Sequence, residues 1–257
     1  MSVAETPLAG KLALVTGGSG AIGSAIARRL AHAGAALLVH YHSDRAGAEA
    51  VVRDIAHAGG AAEAVQADLG HRDGAMELVD RLDGTFGGQF AQRLDVLVNN
   101  AGTLQFSKLS EINDDAFDEL FNINVRAVFQ LSREAAKRMI AAGSGRIITI
   151  GSVFGESAPA AGLSLYCGTK FAVRGLTRAW SRDLGPAGIT VNCVQPALVR
   201  REPFPTEGPI HDALERFSSV GRFGRPEEIA RVVAFLTHPD SGYINGESLT
   251  VDGGWSA

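Results

Sequence analysis

Only two cysteines, Cys167 and Cys193, occur in 257 residues, too few for a disulfide framework or a cysteine-built metal cluster. Both stand among apolar neighbours, which suits small buried side chains; a reactive thiol at Cys167, beside Tyr166, is the alternative reading. No run of lysine and arginine makes a local basic field, and a net charge of −4 with a pI near 6.0 gives no global one. A nucleic-acid partner is therefore not expected. The chain also lacks any uninterrupted apolar run of the roughly eighteen residues that a membrane span needs. Its first ten residues, MSVAETPLAG, have neither the positive start nor the apolar stretch of a secretory leader. These absences lead to the expectation of a soluble, cytoplasmic protein with no membrane partner and no metal. What remains is ample: 46% hydrophobic residues can bury a full core, and one domain over residues 1–257 accounts for the whole length.

Short apolar, β-branched runs alternate with stretches whose apolar residues recur at helical spacing. KLALVTG precedes AIGSAIARRLAHAG, AALLVHY precedes DRAGAEAVVRDIAHAG, AAEAVQADL precedes HRDGAMELVDRLDGTF, and LDVLVNNAG precedes a long helical tract from about Asp114 to Ala142. GRIITIGS, GITVNCVQP and ESLTVDGG supply three further strands, with helices over about 165–184 and 226–237. Strands written as continuous apolar runs between helices predict an α/β, doubly wound parallel sheet of about seven strands, helices on both faces, of the Rossmann type. Residues 198–218 lack clear periodicity except for a short helix expected at DALERFSS. Proline, glycine and charge there suggest a substrate loop or lid, or else a solvated surface excursion.

TGGSGAIG follows the first strand and opens the first helix, the context in which a glycine-rich turn cradles a pyrophosphate at a helix N-terminus. Gly17, Gly20 and Gly23 are the expected cradle, with Ser19 and Ile22 in the same turn. The second strand ends VHYHSDR, with Tyr41 in place of the carboxylate that holds the ribose 2′-hydroxyl of NAD. Tyr41, His42 and Ser43, followed by Arg45, suit a 2′-phosphate, so NADP(H) is favoured; Asp44, one register slip away, keeps NAD(H) as the alternative. ADL at 67–69 puts Asp68 and Leu69 at the adenine, or Asp68 at a helix N-cap. NNAG at 99–102 ends the fourth strand with Asn100, Ala101 and Gly102, small enough for close cofactor approach.

SLYCGTKF sets Tyr166 one helical turn before Lys170. A cation so placed favours a phenol's ionised form, as an acid or base requires. The same spacing also fits an amphipathic helix with a half-buried tyrosine and a snorkelling lysine.

TGGSGAIG, NNAG, NINVRAVF, IITIGS, YCGTK, ITVNCVQP, GRFGRPEEIA and YINGESLTVDGG stand in an order and spacing that resemble the short-chain dehydrogenases/reductases from end to end. The chain is most similar to the branch that includes 3-oxoacyl-acyl-carrier-protein reductases and related ketone reductases. The resemblance implies an NAD(P)(H)-dependent oxidoreductase acting on a small-molecule ketone or secondary alcohol. It also implies Tyr166 as general acid/base, Ser152 holding the substrate oxygen, Lys170 on the nicotinamide ribose and Asn124 anchoring a water of the proton relay. Pro196 and the Val199 backbone then lie at the nicotinamide, and a homotetramer is the expected assembly.

Several positions depart from the family pattern. Ala21 replaces the middle glycine of the usual turn, Pro196-Ala197 replaces Pro-Gly, and arginine replaces a nearby threonine. One extra residue separates Ser152 from Tyr166, which leaves Ser157 and Ser164 as rivals to Ser152. Arg200 and Arg201 would stand at the mouth of the site, either clamping an anionic group or simply solvated beside Glu202. Two other functions fit the same fold: a nucleotide sensor or scaffold without turnover, and an epimerase or dehydratase of the extended family. The full Asn, Ser, Tyr, Lys set argues against the first, and the short C-terminal part against the second.

Overall fold

The computed structural model describes residues 6–158, 160–200 and 217–257. Seven strands form one parallel sheet: β1 (Leu12–Val15), β2 (Ala36–Tyr41), β3 (Ala62–Gln66), β4 (Val96–Asn99), β5 (Gly145–Ile150), β6 (Ile189–Pro196) and β7 (Ser248–Val251). Their spatial order is β3-β2-β1-β4-β5-β6-β7. Seven α-helices are described around it: α1 (Ala21–His32), α2 (Arg45–His57), α3 (Gly74–Leu82), α4 (Asp114–Phe121), α5 (Ala127–Ala142), α6 (Ser164–Leu184) and α7 (Pro226–Thr237). This is the doubly wound, single-domain architecture that the alternation of apolar runs predicts. No helix among the described residues is long and apolar enough to cross a membrane.

Alternation along each strand divides the core into two layers. Val15, Leu37 and Val39 face one side with Ile26 and Leu30 of α1 and Ile229, Val233 and Leu236 of α7. Leu12, Leu14, Leu38 and Leu97 face the other with Leu78 and Leu82 of α3 and Leu131 and Met139 of α5. Each such side chain, once fully buried, contributes about 1.5–3 kcal/mol relative to exposure. Helix ends are specified locally: Asp44 caps α2 by accepting from Gly47 N–H (2.9 Å), and Asn113 caps α4 through Ala116 N–H (2.9 Å).

The expected tract from Asp114 to Ala142 is interrupted. A π-helical turn, Asn122–Arg126, separates α4 from α5. An extra residue in one turn rotates the helix beyond it, and here it leaves the Asn124 side chain buried and hydrogen-bonded to Thr103. Two strands are shorter than their apolar runs. β3 ends at Gln66 and β4 at Asn99, so Asp68 and the Asn100–Gly102 stretch lie in the turns beyond. The third helix stops at Leu82, short of Phe86, which has a positive φ of 50°. The expected loop at 198–218 and the helix at DALERFSS fall mainly on residues 201–216, outside the described residues.

The chain runs outward from β1 through β2 to β3, then returns to place β4 on β1's other side. Reversal of strand order opens a crevice beyond the carboxyl ends of β1 and β4, where ligands bind in folds of this kind.

Candidate active site

Thr16, directly after β1, ties the floor of that crevice together. Its hydroxyl accepts from Asn100 N–H (2.9 Å) and Ala101 N–H (3.0 Å) and donates to the Val98 carbonyl (3.3 Å). Asn100 Nδ2 donates to the carbonyls of Thr16 (2.8 Å) and Gly17 (3.1 Å). Gly17 adopts φ +62°, and a Cβ there would stand 3.1 Å from Ala101 Cα, so both conformation and space call for glycine. A Cβ on Gly23 would collide with the Gly17 carbonyl oxygen. Gly20 differs: it is the N-cap of α1 at φ −74°, and a Cβ would meet only Gly17 O, at 3.5 Å. The N–H groups of Ser19, Ala21 and Ile22 meet no acceptor among the described residues. A helix N-terminus with free donors above a glycine floor fits a pyrophosphate.

His40, on β2, holds the glycine turn from behind. Its Nδ1 accepts from Gly17 N–H (3.1 Å), its Nε2 lies 3.1 Å from the Ala67 carbonyl, and its own carbonyl accepts from Gly18 N–H (2.7 Å). Accepting at Nδ1 leaves the proton on Nε2, where it donates to Ala67. Burial, the largest cause, pushes His40 down to about 4; the Ala67 carbonyl opposes that shift and His42 adds to it.

At the carboxyl end of β2, Tyr41 is the last residue of the strand, while His42 and Ser43 are exposed beyond it. Asp68 Oδ1 accepts from Gly70 N–H (2.9 Å) and lies 3.7 Å from His42 Nε2. It caps no helix, because Asp73 occupies the N-cap position of α3; Leu69 beside it is buried. Asp44 is engaged as the cap of α2, and Arg45 pairs with Glu49 (2.7 Å).

Around the candidate catalytic group, Lys170 is buried, its Nζ donating to the Ile150 carbonyl (3.0 Å) and standing 5.5 Å from the Tyr166 ring centroid. Asn124 Oδ1 accepts from Thr103 N–H (2.9 Å), while its Nδ2 donates to the Thr103 carbonyl (2.9 Å) and to Thr169 Oγ1 (3.1 Å). Thr169 in turn donates to the Tyr166 carbonyl (2.7 Å). A Cβ on Gly102 would approach Asn124 Oδ1 to 3.2 Å and Lys170 Nζ to 3.7 Å, so its small size clears the space in front of both. Ser152, buried just past β5, accepts at Oγ from Phe154 N–H (3.2 Å) and keeps its own proton to donate. Ser157 and Ser164 are exposed, which separates them from Ser152.

Pro196 closes β6, and Val199 forms a single parallel bridge with Gly224. That bridge uses Leu198 O and Arg200 N, leaving Val199's own N–H and C=O unengaged among the described residues. Arg200 is exposed; Arg201 lies outside the described residues. Both cysteines are free and buried, and burial pushes the Cys193 thiol up to about 11 and raises Cys167 as well. That environment disfavours the reactive thiol considered for Cys167.

Sequence reasoning passed over Thr16, His40, Thr103, Thr169, Phe154 and Trp255. Thr16 stands inside the quoted glycine motif, and a histidine within an apolar β-run is the one signal that could have drawn attention to His40.

A family model described as enoyl-(acyl carrier protein) reductase matches residues 17–256. The chain belongs to the short-chain dehydrogenase/reductase family. Similar solved structures include a short-chain dehydrogenase/reductase from Serratia marcescens, 44% identical with a TM-score of 0.91, covering 98% of this chain and 100% of that one. Another, a short-chain dehydrogenase from Burkholderia cenocepacia solved in complex with NADP, is 41% identical with a TM-score of 0.90 and the same coverage. The cyclic-di-GMP-binding biofilm dispersal mediator protein of Escherichia coli is 39% identical over 96% of this chain and 98% of its own length.

Proposed function

We propose that the protein is a cytoplasmic, homotetrameric, NADP(H)-dependent reductase that interconverts a ketone and a secondary alcohol. The observation that carries this reading is the convergence of Asn124, Ser152, Tyr166 and Lys170 beside a glycine cradle at the sheet's switch point. The cradle fits a dinucleotide because Gly17 and Gly23 clear its floor and three N–H groups remain free. Gly17, Ser19, Gly20, Ile22 and Gly23 would hold the pyrophosphate, with Asp68 and Leu69 at the adenine. Asn100, Ala101 and Gly102 would line its course, and Pro196 and the free Val199 peptide groups would meet the nicotinamide.

The cofactor, when bound, supplies or accepts the hydride. Tyr166 passes the proton to the substrate oxygen, and the unused Ser152 proton donates a hydrogen bond to that oxygen as its charge develops. Lys170 has three donors and spends one on Ile150, leaving two for the cofactor ribose. Asn124, fixed at both polar ends, holds the π turn open beside this group. NADP(H) is favoured over NAD(H) because the first carboxylate after β2 in sequence, Asp44, is already committed to capping α2, while His42 and Ser43 remain exposed.

The test is turnover of a panel of small ketones by the purified protein with NADPH and with NADH. Reduction faster with NADPH supports both parts of the reading; binding of NADPH without any turnover overturns the catalytic part. A second reading, a nucleotide-binding sensor of the same fold, is favoured by the name of the E. coli relative, and that second outcome would support it.

A further inference from the structure

Outside both layers of the core, four aromatic rings stand in series. Tyr166 meets Phe154 edge-on with centroids 6.1 Å apart, Phe154 meets Trp255 edge-on at 6.5 Å, and Trp255 meets Phe217 at 4.9 Å. None of the four is among the side chains that make up the two core clusters. Phe217 is 61% exposed, and the other three are partly exposed. The series starts at the proton donor and leads outward to the C-terminal segment.

That segment is built to present its tryptophan. Asp252 accepts from Gly254 N–H (2.8 Å), Ser256 N–H (2.8 Å) and Ser256 Oγ (2.6 Å), closing a turn around residue 255. Ser218 Oγ and Ser219 Oγ donate to the carbonyls of Gly253 (3.1 Å) and Gly254 (2.9 Å). Gly253 and Gly254 both have positive φ, and a Cβ on either would strike those serine hydroxyls. Two strands of chain are thereby zipped together with Trp255 and Phe217 on adjoining sides of the seam. Phe154 is fixed independently, since its N–H donates to Ser152 Oγ (3.2 Å). The same bond couples the wall to the serine that would hold the substrate oxygen.

We infer that Phe154, Trp255 and Phe217 form an aromatic wall that selects ketones carrying an aryl ring a few bonds from the carbonyl. Aromatic faces and edges recognise one another through their quadrupoles, beyond the area they bury, and a saturated ring of equal size does not share that interaction. A substrate oxygen held by Tyr166 and Ser152 puts the remainder of the molecule against the ring that adjoins both, Phe154, and then against Trp255.

This inference rests on the ketone reductase reading, and its test separates the two. Specificity constants are measured for 4-phenyl-2-butanone and 4-cyclohexyl-2-butanone, whose carbonyls are equally reactive because the ring is remote. Dissociation constants of the matching alcohols are measured by calorimetry with the protein loaded with NADP. The wild type is expected to favour the phenyl compounds by about tenfold in both readouts, the sum of two ring contacts. Phe154→Leu and Trp255→Leu should each cut the phenyl-over-cyclohexyl preference by about threefold or more, and Trp255→Phe should restore most of it. Equal handling of both ketones by the wild type, or equal losses for both in the variants, overturns the aromatic wall and leaves the reductase reading intact. Selective alcohol binding that the variants abolish, with no ketone reduced, keeps the wall and overturns the reductase reading.

Discussion

His40 illustrates how one side chain can set the acid limit of a fold. Its two nitrogens are both used, one accepting from Gly17 N–H and one donating to Ala67. Burial, the largest cause, disfavours the charged ring and pushes His40 down to about 4, below the ordinary histidine range; protonation would also put a second donor against Gly17. The unfolded chain takes up the proton first, which means that stability falls as pH drops from about 6.5 to about 4 and levels off below. The loss attributable to this residue is on the order of 3 kcal/mol. Urea unfolding midpoints measured from neutral pH downward should therefore drop less steeply in His40→Asn, which keeps an acceptor near Gly17 but cannot titrate. Parallel acid limbs in the two proteins would contradict the assignment. Glycine and YxxxK patterns are local, which is why the tight turn at Gly17 and the placing of Tyr166 and Lys170 one helical turn apart were legible in the sequence. His40 and Thr16 were not: each sits at the end of an apolar run, and their importance comes from partners in the turns beyond β3 and β4, 27 and 84 positions away.

At the level of elements, the glycine turn and the first helix separate conformational need from ligand need. A methyl on Gly23 would press into the Gly17 carbonyl and force α1 away from the loop, at a cost of about 1–3 kcal/mol. Gly20→Ala meets nothing closer than 3.5 Å and should cost less than about 1 kcal/mol, the loss of a favourable N-cap residue. Thermal unfolding of both variants checks this ordering, and equal destabilisation would contradict it. Strands and most helices were readable because apolar runs and helical periodicity are local properties. The π turn at Asn122–Arg126 was not, since it depends on Asn124 bonding to Thr103, 21 positions earlier. Strand ends were overrun for a related reason: small apolar residues such as Ala101 continue the pattern after the ladder has stopped.

For the whole molecule, the expected tetramer has a candidate contact face. Phe129 and Ile140 of α5 are 42% and 52% exposed, and with Trp180 of α6 they line a groove of about 280 Å³. Exposed aromatic and branched side chains in one patch are a usual mark of an interface. Light scattering is expected to give a mass above the monomer, and Ile140→Asp to lower it by burying an unpaired charge. A wild-type monomer at working concentration would remove the proposal.

The proton-donor role of Tyr166 is the centre of the functional reading, and one comparison tests it. Ketone-dependent NADPH oxidation by Tyr166→Phe is measured beside the dissociation constant for NADPH. Removing only the hydroxyl should lower kcat on the order of a thousandfold while cofactor affinity stays within about twofold. Turnover near that of the wild type, with the cofactor bound equally well, would contradict the mechanism.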